Sequence, residues 1–267
     1  MTKTKLQLIE EAQEHYIDMQ QTYNISIQSS IKRSVVYRDI VPDLVYTKNI
    51  NEIKIAFMKG TTEHAININD DFWCVLNFAS FKYPGGGFLN GAMAQEEALC
   101  HASTLYNVIS DDRFNFDYGY NRNNTNHGLY SNFAIYSPDI VFEDVNNDIH
   151  NCNVITCAAP NLSVFKGSEE DAIKAIEDRI KFVLDVAEKH QQKRLILGAF
   201  GCGVFQNDPY LVAHTFLSYI TSGNYSFTDV IFAIPKSKNS DAFVETLFHI
   251  TDESYPFIIS KVFKPND

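Results

Sequence analysis

Short apolar runs without polar alternation, each followed by a loop and then a helical pattern, constrain this chain more than any other feature. They fall at 53–58, 72–79, 153–159, 195–200 and 230–234, with further strand-like stretches at 129–136 and 141–142. A strand that is apolar on both faces must be covered on both faces. The repeat therefore predicts an α/β fold with helices on either side of the sheet. Ligands of such folds sit beyond the carboxyl ends of strands. That rule points, independently of any motif, at the residues following Ala79, Ala159, Ala199 and Ile234.

The intervening segments fill in the helices. Residues 5–22 carry helical spacing, with Leu6, Ile9, Ala12 and Tyr16 on one side. The stretch up to Lys48 mixes short extended pieces, such as 34–37, with turns. No linker rich in Pro, Gly or Ser divides the chain, no repeat is present, and the Asn-rich 121–126 is the one biased tract. Residues 1–48 are thus expected to form a mainly helical extension packed on a main domain of 49–267. One helix is expected over 94–109, and 111–128, polar and aromatic without period, is expected to be a long surface loop. Ser168 should cap a long helix whose acidic first turn, Glu169-Glu170-Asp171, suits the positive end of its dipole. Its apolar stripe is Ile173, Ile176, Ile180, Val183, Leu184 and Ala187. Further helices are expected at 209–219 and 241–250.

The formal charge of −11 argues against broad nucleic-acid binding, which needs a basic footprint. It does not oppose a polyanion held locally, because peptide N–H groups bind phosphate without help from net charge. The five cysteines are scattered, mostly beside apolar runs, with neither a Cys-x-x-Cys pair nor a histidine cluster. Buried thiols in a reducing compartment are expected, and no metal site. The first residues lack the apolar core of a signal peptide, and no stretch reaches the length needed to span a bilayer. An intracellular protein is expected, cytoplasmic or nuclear if eukaryotic.

Two glycine loops and a carboxylate pair carry the chemistry. The first loop runs Tyr83-Pro84-Gly85-Gly86-Gly87-Phe88-Leu89-Asn90-Gly91-Ala92. Three adjacent glycines are tolerated where backbone must approach a ligand closely, or where a tight connection demands them. No Gly-Lys-Ser/Thr follows, which excludes a P-loop, and contiguous glycines do not make a dinucleotide fingerprint. Gln95-Glu96-Glu97 then opens a helix. Acids are common at helix starts, but these lie beside a loop at the ligand-binding end of a strand. Neighbouring helical residues diverge by about 100°, so one carboxylate can face the site while the other grips from the side. The second loop, Gly198 to Pro209, contains Gly201-Cys202-Gly203-Val204-Phe205, whose N–H groups could cradle a diphosphate while Phe205 stacks on a sugar or base or packs into the core. Cys202 has no histidine or acid nearby in sequence to activate it. The pattern by itself implies a phosphosugar or nucleotide-diphosphate site.

At these residues the chain resembles the microbial-type poly(ADP-ribose) glycohydrolases, a branch of the macrodomain fold. The likeness lies in Asn77-Phe78-Ala79-Ser80, Pro84-Gly85-Gly86-Gly87, Gly91-Ala92, Gln95-Glu96-Glu97, Ala158-Ala159-Pro160-Asn161 and Gly201-Cys202-Gly203-Val204-Phe205, and spans about 5–250. Phe81-Lys82-Tyr83 and His101 depart from the family pattern and bear on the pocket rim. The resemblance implies a macrodomain-like three-layer α/β/α fold with a central mixed sheet. It also implies hydrolysis of the ribose–ribose O-glycosidic bond, with Glu97 as acid/base and Glu96 on the ribose hydroxyls. Ser80, Gly85, Gly86, Gly87, Asn90, Gln95, Asn161, Gly201, Cys202, Gly203, Val204 and Phe205 are the implied substrate contacts, without cofactor or metal. The implied partner is an ADP-ribose polymer or an ADP-ribosylated protein, bound by a monomer that reads no nucleic-acid sequence and meets no membrane. A mono-ADP-ribosyl-protein hydrolase, a non-catalytic ADP-ribose reader and a purely structural α/β domain are the alternatives.

Overall fold

In the computed structural model of the protein, the described residues are 3–46, 53–69 and 71–252, with side chains described up to 246. The boundary expected at 48/49 lies outside them. The elements run α1 (Lys5–Thr22), α2 (Asn24–Arg33), β1 (Val35–Arg38), β2 (Lys54–Met58), α3 (Thr62–Asn67), β3 (Cys74–Phe78), α4 (Gln95–His101), α5 (Leu105–Ile109), α6 (Asn115–Asn123), β4 (Phe133–Glu143), β5 (Ile149–Cys157), α7 (Glu169–Lys189), β6 (Arg194–Leu197), α8 (Pro209–Ile220), β7 (Asp229–Ala233) and α9 (Lys238–Asp252).

The strands form one mixed sheet in the order β1-β4-β5-β3-β6-β7-β2. The β1–β4 and β4–β5 pairs are antiparallel; the remaining pairs are parallel. Alternation within each apolar run divides the core. Cys74, Leu76, Leu195, Leu197, Val230 and Phe232 face a layer made by α7, α8 and α9. Val75, Val154, Ile196 and Ile231 face the opposite layer, which draws Ala12 from α1, Ile27 and Ile31 from α2, Ala65 and Ile66 from α3, and Leu99 and Val108 from α4 and α5. The three-layer α/β/α arrangement expected from the sequence is present. All five cysteines are buried and unpaired. Among the described residues no helix is long and apolar enough to cross a membrane.

Several local expectations are corrected. Residues 24–33, read as turns, form helix α2, because Ile27 and Ile31 are buried one turn apart. In α1 the buried stripe runs through Ala12 and Met19, whereas Leu6 is 64% exposed. The single helix expected over 94–109 is broken into α4 and α5. The Thr104 N–H leaves the helix to donate to Val141 O at 2.9 Å, and the Ser103 hydroxyl bonds back to Leu99 O. The supposed surface loop 111–128 contains α6 flanked by short 3₁₀ turns, with Phe114, Tyr118 and Asn121 buried. β4 starts at Phe133 rather than 129 and runs as one strand with an irregularity between Ser137 and Ile140. Ser168 accepts the Asp171 N–H and caps α7 as expected.

Candidate active site

The carboxyl ends of β2, β3, β5, β6 and β7 open on one cavity of about 830 Å³. Its walls come from 61–63, 78–80, Ala159, 199–201, 203–205, 233–235, Ser237 and Asn239, closed by the first glycine loop and the start of α4. All four strand ends singled out from the sequence contribute.

The first wall is built around the carboxylate pair. Gln95 lies across the end of β3: its Oε1 accepts the Phe78 N–H at 2.8 Å, and its Nε2 donates to Leu76 O and Thr62 Oγ1. The side chain thus serves β3 as a neighbouring strand would and fixes the orientation of the two residues that follow it. Glu96 is buried. Its Oε1 accepts from Asn77 Nδ2 at 3.2 Å and its Oε2 from the Ser80 N–H at 2.7 Å. Glu97 is also buried. Its Oε1 accepts the Gly87 N–H at 2.8 Å and its Oε2 the Ala94 N–H at 2.9 Å, which is half of a capping box, since Ala94 has no oxygen to return. Gly86 stands between the pair with φ +58°: a Cβ there would lie 2.6 Å from Glu97 Oε1 and 2.9 Å from Glu96 Oε2. Burial, reinforced by the neighbouring Glu97 charge and opposed by the Ser80 and Asn77 hydrogen bonds, pushes the Glu96 carboxyl up to about 8. A buried carboxyl that keeps its proton into the neutral range, beside a second carboxylate, is suited to acid/base work and to holding hydroxyls.

The opposite wall is the second glycine loop. Its fold is pinned by Cys202 N–H to Ala199 O, Gln206 N–H to Gly203 O and Asn207 N–H to Gly201 O, all at 3.1 Å. Asn207, buried and missed by the sequence reading, donates from Nδ2 to Pro160 O and Gly201 O and so ties this loop to the end of β5. Asn239, also missed, donates to Cys202 O. Among the described residues the N–H groups of Gly201, Gly203, Val204 and Phe205 have no partner, and all four residues line the cavity. Successive unpaired amides on a concave wall suit an anion. Phe205 sets its ring 6.2 Å from that of Tyr130.

Of the residues expected at the site, Glu96, Glu97, Ser80, Gly86, Gly87, Gln95, Gly201, Gly203, Val204 and Phe205 line the cavity. Gly85, Asn90, Asn161 and Cys202 do not. Gly85 turns toward the Tyr106 ring, Asn90 is exposed, and Asn161 borders a neighbouring recess. Cys202 is buried against Phe200 O, and burial pushes its thiol up to about 12, which leaves no nucleophile there. The cavity also takes in Thr62, Glu63, Met93, Pro235 and Asn239, which carry no motif. Among the described residues no group of three His, Cys, Asp or Glu side chains is placed to hold a metal ion.

A family model described as the catalytic domain of microbial-type PARG matches residues 3–143. The structure is similar to that of poly(ADP-ribose) glycohydrolase from Thermomonospora curvata, at 27% identity over 89% of this chain and 98% of that one, with a TM-score of 0.79. It is similar to the same enzyme bound to the inhibitor ADP-HPD, with identical coverage and identity and a TM-score of 0.76. The Deinococcus radiodurans enzyme in complex with ADP-ribose is 28% identical over 84% of this chain and 98% of that one, with a TM-score of 0.72. None of the curated proteins compared with the chain matches it.

Proposed function

The chain belongs to the microbial-type poly(ADP-ribose) glycohydrolase family, and from that premise we propose that it cleaves the ribose–ribose O-glycosidic bond of an ADP-ribose polymer, with Glu97 as general acid and base. The observation that carries this reading is the pairing, across one cavity, of two buried carboxylates with a loop in which four amides have no partner among the described residues. A diphosphate on Gly201, Gly203, Val204 and Phe205, with Gly86 and Gly87 opposite, leaves the distal ribose beside Glu96 and Glu97, and Phe205 packs on that sugar. The Glu96 carboxyl accepts from Asn77, Ser80 and the Gly85 backbone, and its two oxygens offer about four acceptor sites, which leaves room for a ribose hydroxyl.

The reaction follows the logic of glycoside hydrolysis. Glu97 donates a proton to the 2′-oxygen of the leaving unit as the bond from C1″ to that oxygen breaks. The adjacent diphosphate offsets the positive charge that develops at C1″. Glu97 then accepts a proton from the water that attacks C1″, which returns it to its starting form. Negative charge from the diphosphate favours a protonated carboxyl within the pair before the first step. Residues 1–48 serve in this reading as an extension that supports a catalytic domain of 49–267.

Replacing Glu97 by Gln (E97Q) removes the proton while keeping the shape. Turnover of polymer should fall by about 10²–10⁴-fold, whereas ADP-ribose affinity by calorimetry should stay near that of the wild type. Near-normal turnover in E97Q would refute the assignment. Assays on polymer and on mono-ADP-ribosylated protein, read as released ADP-ribose, decide between polymer and protein substrates; release from neither makes the protein a reader.

A further inference from the structure

A second recess of about 560 Å³ adjoins the first and is used by nothing described so far. Lys82, His127, Tyr130, Asn161, Phe165 and Lys166 dominate its lining, and no carboxylate borders it. The two cavities share walls. Ser80 and Tyr83 line the first while Lys82 between them lines the second; Ala159 lines the first and Asn161 the second. The Tyr130 ring, in the second, meets the Phe205 ring of the first. Among the described residues neither Lys82 nor Lys166 forms an ion pair or a side-chain hydrogen bond. In a chain of formal charge −11, two free ammonium groups and a histidine in one recess form a local basic spot.

The backbone that shapes this recess is strained. Asn126, His127 and Tyr130 have φ of +44°, +53° and +60°, and such strain is commonest at functional sites. It is held by Tyr130 N–H to Thr125 O and by Asn161 N–H to Gly128 O, so His127 and Tyr130 are presented from a fixed turn. The Tyr130 ring is backed by a stacked contact with Phe81 at 4.4 Å. Aromatic and apolar walls with two lysines among them suit a nucleotide: a ring to stack and phosphates to pair.

We propose that this recess receives the phosphate-bearing nucleotide unit that departs when the glycosidic bond breaks, so that an ADP-ribose polymer is read across two adjoining recesses. This rests on the reading of the first cavity as an ADP-ribose site. A substrate carrying one ADP-ribose on a small leaving group fills the first recess alone, and the polymer fills both.

The test compares poly(ADP-ribose) with an aryl-O-ADP-ribose that has no second nucleotide. The variants are Lys166→Glu and a control, Lys174→Glu, which changes charge equally at an exposed lysine on α7 outside both recesses. Lys166→Glu should raise the KM for polymer roughly 5–10-fold, the loss of about one charge-assisted contact, with kcat little changed and the aryl substrate unaffected. Lys174→Glu should leave both substrates unaffected. An unchanged polymer KM in Lys166→Glu, an equal effect of the two variants, or an equal effect on the two substrates would overturn the proposal. So would a Lys166→Glu defect confined to ADP-ribosylated protein. A wild-type protein that cleaves the aryl compound but not the polymer would overturn the second recess as a subsite and leave ADP-ribosyl hydrolysis standing. Cleavage of neither would remove the underlying reading as well.

Discussion

A Cβ at Gly86 would collide with both carboxylates, whereas a Cβ at Gly203 would meet no atom within 4 Å. The two positions therefore separate ligand binding from folding. Gly86→Ala forces a side chain into a positive φ and against Glu96 and Glu97, and should cost about 1–3 kcal/mol of stability together with turnover. Gly203→Val projects into open cavity. Its unfolding midpoint in urea should match the wild type within about 0.5 kcal/mol, while ADP-ribose affinity by calorimetry falls about tenfold or more. Unchanged affinity in Gly203→Val would count against the anion cradle. Both glycines were legible in the sequence as a motif, but their different roles were not, because a glycine records only that something is close. The same holds for Gln95. Its place in the motif implied a substrate contact and it lines the cavity, but the sequence did not reveal that its amide also holds Phe78, Leu76 and Thr62. Asn207 carried no signal, since its two partners, Pro160 and Gly201, are far from each other along the chain.

Helix α7 shows how an element outside the cavity governs its wall. Arg179 is buried on it and donates to Asn132 Oδ1 at 2.8 Å and to the carbonyls of Leu129 and Ala158. The guanidinium thereby joins the end of β5 to the segment entering β4. Arg179→Leu takes the guanidinium from all three acceptors, leaving Ala158 O only the long Cys157 Sγ contact, and should lower stability by about 3 kcal/mol, measured by denaturant unfolding. Arg179→Lys should restore little, because an ammonium cannot span that fork. A midpoint unchanged in both variants would show that the bridge contributes nothing. At this scale the apolar runs were read correctly as strands, and periodicity placed α1, α7 and α8. The misreadings share a cause. Across α6 and the residue that precedes it, the buried positions Phe114, Tyr118 and Asn121 do follow helical spacing, but exposed Phe116 and Tyr120 fill the gaps and blur it. The break between α4 and α5 depends on Val141 and Phe142, which no local pattern in 94–109 reveals.

Across the whole molecule, the Glu96 carboxyl links stability to pH. The Glu96 carboxyl moves from 4.5 to about 8 on folding, chiefly through burial. The folded chain then holds this proton more tightly than the unfolded one. Its contribution is complete below the unfolded value and is lost as pH rises through about 8. Glu96→Gln, which cannot titrate, should flatten the decline in unfolding free energy between about pH 5 and pH 8 in ligand-free protein. Parallel curves for variant and wild type would contradict this. The sequence located the pair but did not reveal this property, because the burial that causes it is assembled from β3, the glycine loop and α4 together.

The second glycine loop behaves differently. A peptide N–H neither gains nor sheds a proton in the range where proteins survive, so the pull proposed for Gly201, Gly203, Val204 and Phe205 on an anion is indifferent to acidity. The Glu96 carboxyl follows the acidity of the solution, whereas the proposed hold on the diphosphate does not. A change of acidity would therefore alter the ribose end of the proposed site while the diphosphate end stays gripped.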